Sequence, residues 1–228
     1  MDNWTKKPPA AAFLALLIFI FAAACAPSPA EDAAKPAAPE AAPKADPAQD
    51  EVAVIETDFG IMVLEFLPEI APNHVAQFKK LAKEGFYDNT AFHRIVKGFM
   101  IQGGDPATKA GGAGQPAPRL KAEFNARPHL RGALSAARTN DPNSATSQFF
   151  LCLDPAPFLD RKYTNYGQLV AGEEVLLKIG DVKTKPNPGM VGENSVPEER
   201  VNMKKVTIVP RADGLKQAEA AGSKPVAK

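Results

Sequence analysis

The chain has 228 residues, with 27 Lys and Arg against 26 Asp and Glu, a formal net charge of +1. That balance argues against nucleic acid as a partner, because phosphate binding leaves a basic footprint. Two cysteines and three histidines, scattered rather than paired, offer no metal-ligand spacing, and nothing in the composition calls for a cofactor.

Lys6 and Lys7 precede an uncharged apolar run from Ala10 to Ala24, which ends in small residues directly before Cys25. A basic start, an apolar stretch and a small-residue end read as a bacterial export signal over residues 1–24. The run is short for a helix that spans a bilayer. Its junction resembles the lipobox of bacterial lipoproteins, in which Cys25 becomes the acylated first residue and anchors the chain to a membrane. Ala22 stands where that motif usually has leucine, so plain secretion is the alternative. Residues 25–50 are almost entirely Ala, Pro, Glu, Asp, Lys and Gln. Such a segment buries too little apolar surface to offset its ordering entropy and is expected to be an extended tether. Residues 212–228 have similar composition and are expected to be a disordered tail. Residues 51–211 between them suffice for one well-packed domain.

Within that domain, Val52 to Thr57 and Ile61 to Phe66 are β-branched and apolar around Asp58-Phe59-Gly60, a hairpin signal. Pro72 opens a helical pattern with Val75, Phe78, Leu81 and Ala82 on one face, and Gly85 is placed to end it. Short strands are predicted at Ala91 to Val96, Phe99 to Gln102, Arg131 to Ala136 and Gln148 to Leu153. Two more follow at Asn165 to Val170 and Asn202 to Val209, with a short helix at Glu173 to Ile179. Segments 107–118 and 183–199 are rich in Gly, Pro and Asn and read as loops. Many short strands, two helices and no βαβ rhythm point to a mainly β domain, an antiparallel barrel or sandwich. Cys152 lies among Phe149, Phe150, Leu151 and Leu153 and reads as a small buried hydrophobe.

The most informative stretch runs Phe92-His93-Arg94-Ile95-Val96-Lys97-Gly98-Phe99-Met100-Ile101-Gln102-Gly103-Gly104-Asp105. By alternation Phe92, Arg94 and Val96 share one face. An arginine in so apolar a strand is costly without a task or a partner. One reading is an ion pair with a nearby acid; the other is a site that binds an apolar group and hydrogen-bonds the amide beside it. Phe99 and Met100 taken alone read as core, and Gln102 as a turn-stabilising side chain. His93, His74 and His129 read as structural, packing or surface residues, and Asp105 and Asp160 as organisers of turns. No Ser/His/Asp or Cys/His arrangement with motif context supports a hydrolase.

Three further pieces follow in order: Leu134 to Asn140, Ser147-Gln148-Phe149-Phe150-Leu151, and Pro157-Phe158-Leu159-Asp160. With the first stretch, they make residues 51–211 resemble the cyclophilins, the peptidyl-prolyl cis-trans isomerases. Arg138-Thr139-Asn140-Asp141-Pro142 followed by Ser144-Ala145-Thr146 is similar to the bacterial branch. The resemblance implies an eight-stranded antiparallel barrel capped by two α-helices. By motif position it makes Arg94 the catalytic arginine, Gln102 the glutamine on the substrate backbone, and Phe99, Met100, Phe150 and Leu159 walls of a proline pocket. Ala137 and Gln148 match further groove positions. Tyr163 stands where many eukaryotic members have histidine and Phe158 where they have tryptophan; the pocket stays aromatic, but the missing indole N–H implies weak cyclosporin binding. The expected substrates are proline-containing unfolded or extended polypeptides outside the cytoplasm, met by a monomer. A groove that binds such peptides as a chaperone, with catalysis incidental, is the other reading.

Overall fold

The computed structural model describes residues 50–112 and 114–226. The expected export signal, Cys25 and nearly all of the tether lie outside the described residues. β1 (Glu51–Thr57) and β2 (Gly60–Phe66) form the predicted hairpin. Thr57 closes its turn: the hydroxyl donates to the Gly60 carbonyl at 2.8 Å and accepts from the Phe59 N–H at 3.0 Å. Helix α1 (Pro72–Lys83) buries His74, Val75, Phe78, Leu81 and Ala82, and carries Lys80 and Lys83 in its last turn, where cations suit the carbonyl end. Ala71 offers no side-chain cap. The Glu123 carboxylate does that work from a distant loop, accepting the N–H groups of Asn73 and His74 at 3.0 Å each.

The remaining strands are β3 (Thr90–Phe92), β4 (Arg94–Val96), β5 (Met100–Gly103), β6 (Ala133–Ala136), β7 (Phe149–Cys152), β8 (Asn165–Ala171), β9 (Thr184–Pro186), β10 (Asn194–Pro197) and β11 (Val201–Pro210). Nine of the described strands form one sheet in the order β3-β11-β1-β2-β8-β6-β7-β5-β4, antiparallel at each pairing. The sheet's two ends, β3 and β4, are halves of one strand broken at His93, whose N–H donates to the Gln102 carbonyl at 3.1 Å. The sheet thus rolls into a nearly closed barrel, and counting the broken strand once recovers the expected eight.

That break also corrects the alternation. Phe92 packs in the main core with Ile55, Leu64, Ile95, Ile101, Leu134, Phe149 and Leu151, together with Phe78 of α1 and Leu176 of α2 (Glu173–Gly180). Arg94 instead faces outward. The strand changes phase at His93, where it leaves β11 for β5. On β5 and β7 the period of two then places Met100, Phe150 and Cys152 on the outer face, in a second cluster with Ala133, Ala156 and Leu159. This cluster carries the site described below.

Two further sequence expectations fail. Segment 183–199 is not an open loop but holds the β9–β10 hairpin, which packs beside β4. Residues 212–226 are not a disordered tail. Helix α3 (Arg211–Ala220) lies on the outer face of β1, β2 and β11 with Gly214 and Ala218 buried, so the barrel carries three helices rather than two. Beyond it the Ser223 hydroxyl donates to the Ile61 carbonyl at 2.8 Å and the Val226 N–H to the Val170 carbonyl at 2.9 Å. The physical reason is beneath the helix: Val52, Val54 and Val63 are buried there and would otherwise face water.

Candidate active site

The β4–β5 hairpin turns at Lys97-Gly98-Phe99, with Gly98 at φ +71° and the Phe99 N–H donating to the Val96 carbonyl at 3.0 Å. A turn of that length makes Arg94 and Gln102 direct cross-strand partners. Gln102 is in turn opposite Phe150 on β7. The side chains follow the backbone register. Arg94 Nη1 donates to Gln102 Oε1 at 3.2 Å, and Gln102 Nε2 donates to Gln148 Oε1 at 2.8 Å. Ala137 joins them because its N–H donates to the Gln148 carbonyl at 3.0 Å.

Beside this polar ladder lies an open cavity of about 450 Å³. Its walls are Arg94, Phe99, Met100, Gln102, Ala137, Phe150, Phe158, Leu159 and Tyr163, so every residue singled out for the groove lines it except Gln148, which holds Gln102. Phe158 and Leu159 sit on a 3-10 turn, Pro157–Leu159. The turn is pinned by Asp160, which accepts from both the N–H and Nδ1 of the buried His129 at 2.8 Å each. Leu159 is buried, whereas Phe158 is 59% exposed and leans over Phe99 with ring centres 5.4 Å apart. Tyr163 and Phe150 pack edge to face with ring centres 5.8 Å apart.

Three residues of the site were not found from the sequence. Arg138 lines the cavity, stacks over Tyr163 at 4.4 Å and donates to the carbonyls of Lys162 and Thr139 at 2.9 and 2.8 Å. It was in plain view beside Ala137. Met190 also lines the cavity. Glu193 binds Arg94 as a fork, Nε to Oε1 at 2.8 Å and Nη2 to Oε2 at 2.6 Å. The ion pair and the groove, weighed as alternatives in the sequence, are both present at Arg94. The guanidinium, with help from Ser195 and against the cost of burial, holds the Glu193 carboxyl at about 2. The stability this pair supplies is fully present above the ordinary carboxylate value and is lost only as pH falls toward about 2. It is intact at neutral pH.

Nucleophilic chemistry finds no support here. Burial pushes the Cys152 thiol up to about 12, far from a reactive thiolate. Burial likewise holds His93 below the ordinary imidazole range, against the opposing pull of the Asp105 charge and a backbone hydrogen bond at Ala91. What this arrangement can do is grip an apolar ring and hydrogen-bond the amide next to it. That is the chemistry of a non-covalent isomerase of peptide bonds.

The chain belongs to the cyclophilin-type peptidyl-prolyl cis-trans isomerases. The family model described as "Cyclophilin type peptidyl-prolyl cis-trans isomerase/CLD" matches residues 52–208. A probable peptidyl-prolyl cis-trans isomerase of Brucella abortus is 41% identical over 140 residues, covering 57% of this chain and 71% of its own. One from Synechococcus elongatus is 46% identical over 116 residues, covering 51% and 78%. Among solved structures, a cyclophilin from Hirschia baltica superposes with a TM-score of 0.58 at 31% identity, over 74% of this chain and 76% of that one. A cyclophilin type isomerase of Cryptosporidium parvum, solved in the presence of the dipeptide Ala-Pro, gives 0.60 at 28% identity over 69% and 98%.

Proposed function

We propose that this isomerase turns X–Pro bonds in polypeptides folding outside the cytoplasm, and that Arg94 lowers the barrier by stabilising the twisted amide. The observation that carries this is the Arg94–Gln102–Gln148 ladder set against the apolar walls of a cavity of about 450 Å³. Amide resonance imposes a barrier of roughly 18–20 kcal/mol, and X–Pro isomers therefore exchange over tens of seconds or longer. No bond has to be made or broken. As the bond twists, the prolyl nitrogen loses resonance and gains basicity. A donor aimed at that nitrogen or at the rotating carbonyl favours the twisted state over either planar one, which is the requirement for acceleration. Arginine stays charged and presents a rigid fork. Phe99, Met100, Phe150 and Leu159 hold the ring while Gln102 holds the flanking chain. The Ala-Pro present with the Cryptosporidium relative supports a proline-containing ligand for this groove.

Exchange of an Ala-Pro-Phe peptide, followed by NMR with the full chain in detergent, tests the reading. The expected result is exchange brought from tens of seconds to about a second or less at micromolar enzyme. A folded chain that binds the peptide without speeding exchange would leave a peptide-binding module or chaperone instead.

The N-terminal sequence supports an exported, lipid-anchored enzyme of the bacterial branch, facing the periplasm or the cell exterior. Labelled palmitate fed to a bacterial host producing the full chain is expected to enter the protein, and Cys25→Ser is expected to abolish the label. An unlabelled parent would leave plain secretion.

A further inference from the structure

The Arg94 side chain is held from the side away from Gln102 by a hairpin that belongs to neither neighbouring strand of its sheet. The β9–β10 hairpin packs beside β4 and delivers Glu193 to the guanidinium. The contact is built rather than incidental. Both carboxylate oxygens are used, and the two side chains are only 18% and 26% exposed. Behind the carboxylate, the hydroxyl of the buried Ser195 helps to keep Glu193 ionised, and Asn187 Nδ2 donates to that hydroxyl at 3.0 Å. The Glu193 carbonyl is fixed as well, accepting the Asn187 N–H at 2.8 Å. One hydrogen-bonded line therefore runs from Asn187 through Glu193, Arg94 and Gln102 to Gln148.

The orientation is what matters for the reaction. A fork on Nε and Nη2 fixes the guanidinium plane and leaves Nη1 turned toward Gln102 Oε1 and Met100 Sδ, at 3.2 and 4.0 Å. Both of those residues line the cavity. An arginine held only by Gln102 could swing about its long side chain. A donor that must meet a charge developing on a twisting amide acts best when it is already in place.

We propose that Glu193 is a positioning residue for the isomerisation: it clamps one edge of Arg94 so that the other edge is presented to the proline amide. The inference rests on the isomerase reading above. Glu193 touches no reacting atom and acts through the arginine. In this chain the β9–β10 hairpin is thus part of the site.

The test uses the full chain in detergent, with NMR exchange of the Ala-Pro-Phe peptide at saturation and its dissociation constant measured separately. Glu193→Gln keeps the shape, removes the charge and turns an amide N–H toward a guanidinium N–H. The saturated exchange rate is expected to fall at least about tenfold while the dissociation constant stays within about twofold. Ser195→Ala, which removes the hydroxyl that Asn187 bonds behind the carboxylate, is expected to shift the rate in the same direction by less. In an Arg94→Ala background, Glu193→Gln is expected to have no further effect, because the clamp has lost its object. A Glu193→Gln rate equal to the parent's would make the carboxylate a bystander, and a higher rate would make it a competitor for Arg94; either overturns the proposal. So would a fall that persists without Arg94, which would mean a purely structural role. A parent that does not speed exchange would sink the isomerase reading itself and this inference with it.

Discussion

On the proposed mechanism, Arg94→Ala is expected to slow catalysed X–Pro exchange by about a hundredfold or more, the scale of removing one preorganised donor from an active site. The barrel should stay folded, because the position's neighbour, Ile95, fills the core while Arg94 stands on the outer face. Its removal opens no internal cavity. The carboxylate left behind, Glu193, is 26% exposed and can take water as a partner, and Gln102 keeps its bond to Gln148. The melting temperature is therefore expected to move by no more than about 4 °C, equivalent to a change of about 1 kcal/mol in a domain of this size. Exchange spectroscopy beside a thermal melt reads both quantities. A variant as active as the parent would remove Arg94 from the mechanism, and a melted one would make its role structural.

How much of this was legible in the sequence depended on whether the signal was local. The β1–β2 hairpin and α1 announce themselves by period and punctuation, and their observed bounds lie within a residue of those expected at most ends. The cross-strand meeting of Arg94 and Gln102 follows from a short turn through Gly98, which spacing alone suggests. The site's pocket residues were legible through motif order, since Phe99, Phe150 and Phe158 come from three separate elements. What escaped was set by tertiary contact. Nothing local marks His93 as the point where one strand leaves β11 for β5, yet that break moves Phe92 and Arg94 onto different faces. The β9 and β10 strands are short and carry Pro186 and Pro197, and the Gly-rich turn between them hides their pairing. Glu193 is one acid in that turn region, with no spacing to connect it to an arginine far earlier in the chain. The sequence suggests surface or packing roles for His74 and His129. Both are buried, and each binds a carboxylate, Glu123 and Asp160, that anchors a distant segment.

Helix α3 is hidden in the sequence for a physical reason. A docked helix of three alanines, one glycine, one leucine and five charged or amide residues has the composition of a tether because its contacts need small residues. A side chain at Gly214 would begin 2.6 Å from Val52 Cγ2, 3.3 Å from Val54 Cγ2 and 3.4 Å from Val209 Cγ2. Valines are stiff at χ1 and cannot swing aside cheaply. Gly214→Val should therefore lift α3 from the sheet and begin to uncover Val52, Val54 and Val63, each of which contributes about 1.5–3 kcal/mol when fully buried. Overpacking of this kind typically costs about 1–3 kcal/mol. At the upper end of that range the melting temperature is expected to fall by about 6–12 °C. A chain ending at Pro210 should fall at least as far. Exchange activity measured below the melt should survive, since α3 covers β1 and β2 while the site lies on β4, β5 and β7. The sign of the effect separates the two readings of this segment. In a free helix, replacing glycine by valine is mildly favourable, by a few tenths of a kcal/mol, so a tail in solvent would leave the melt unchanged or raise it. Only a helix pressed against those three valines makes the substitution destabilising.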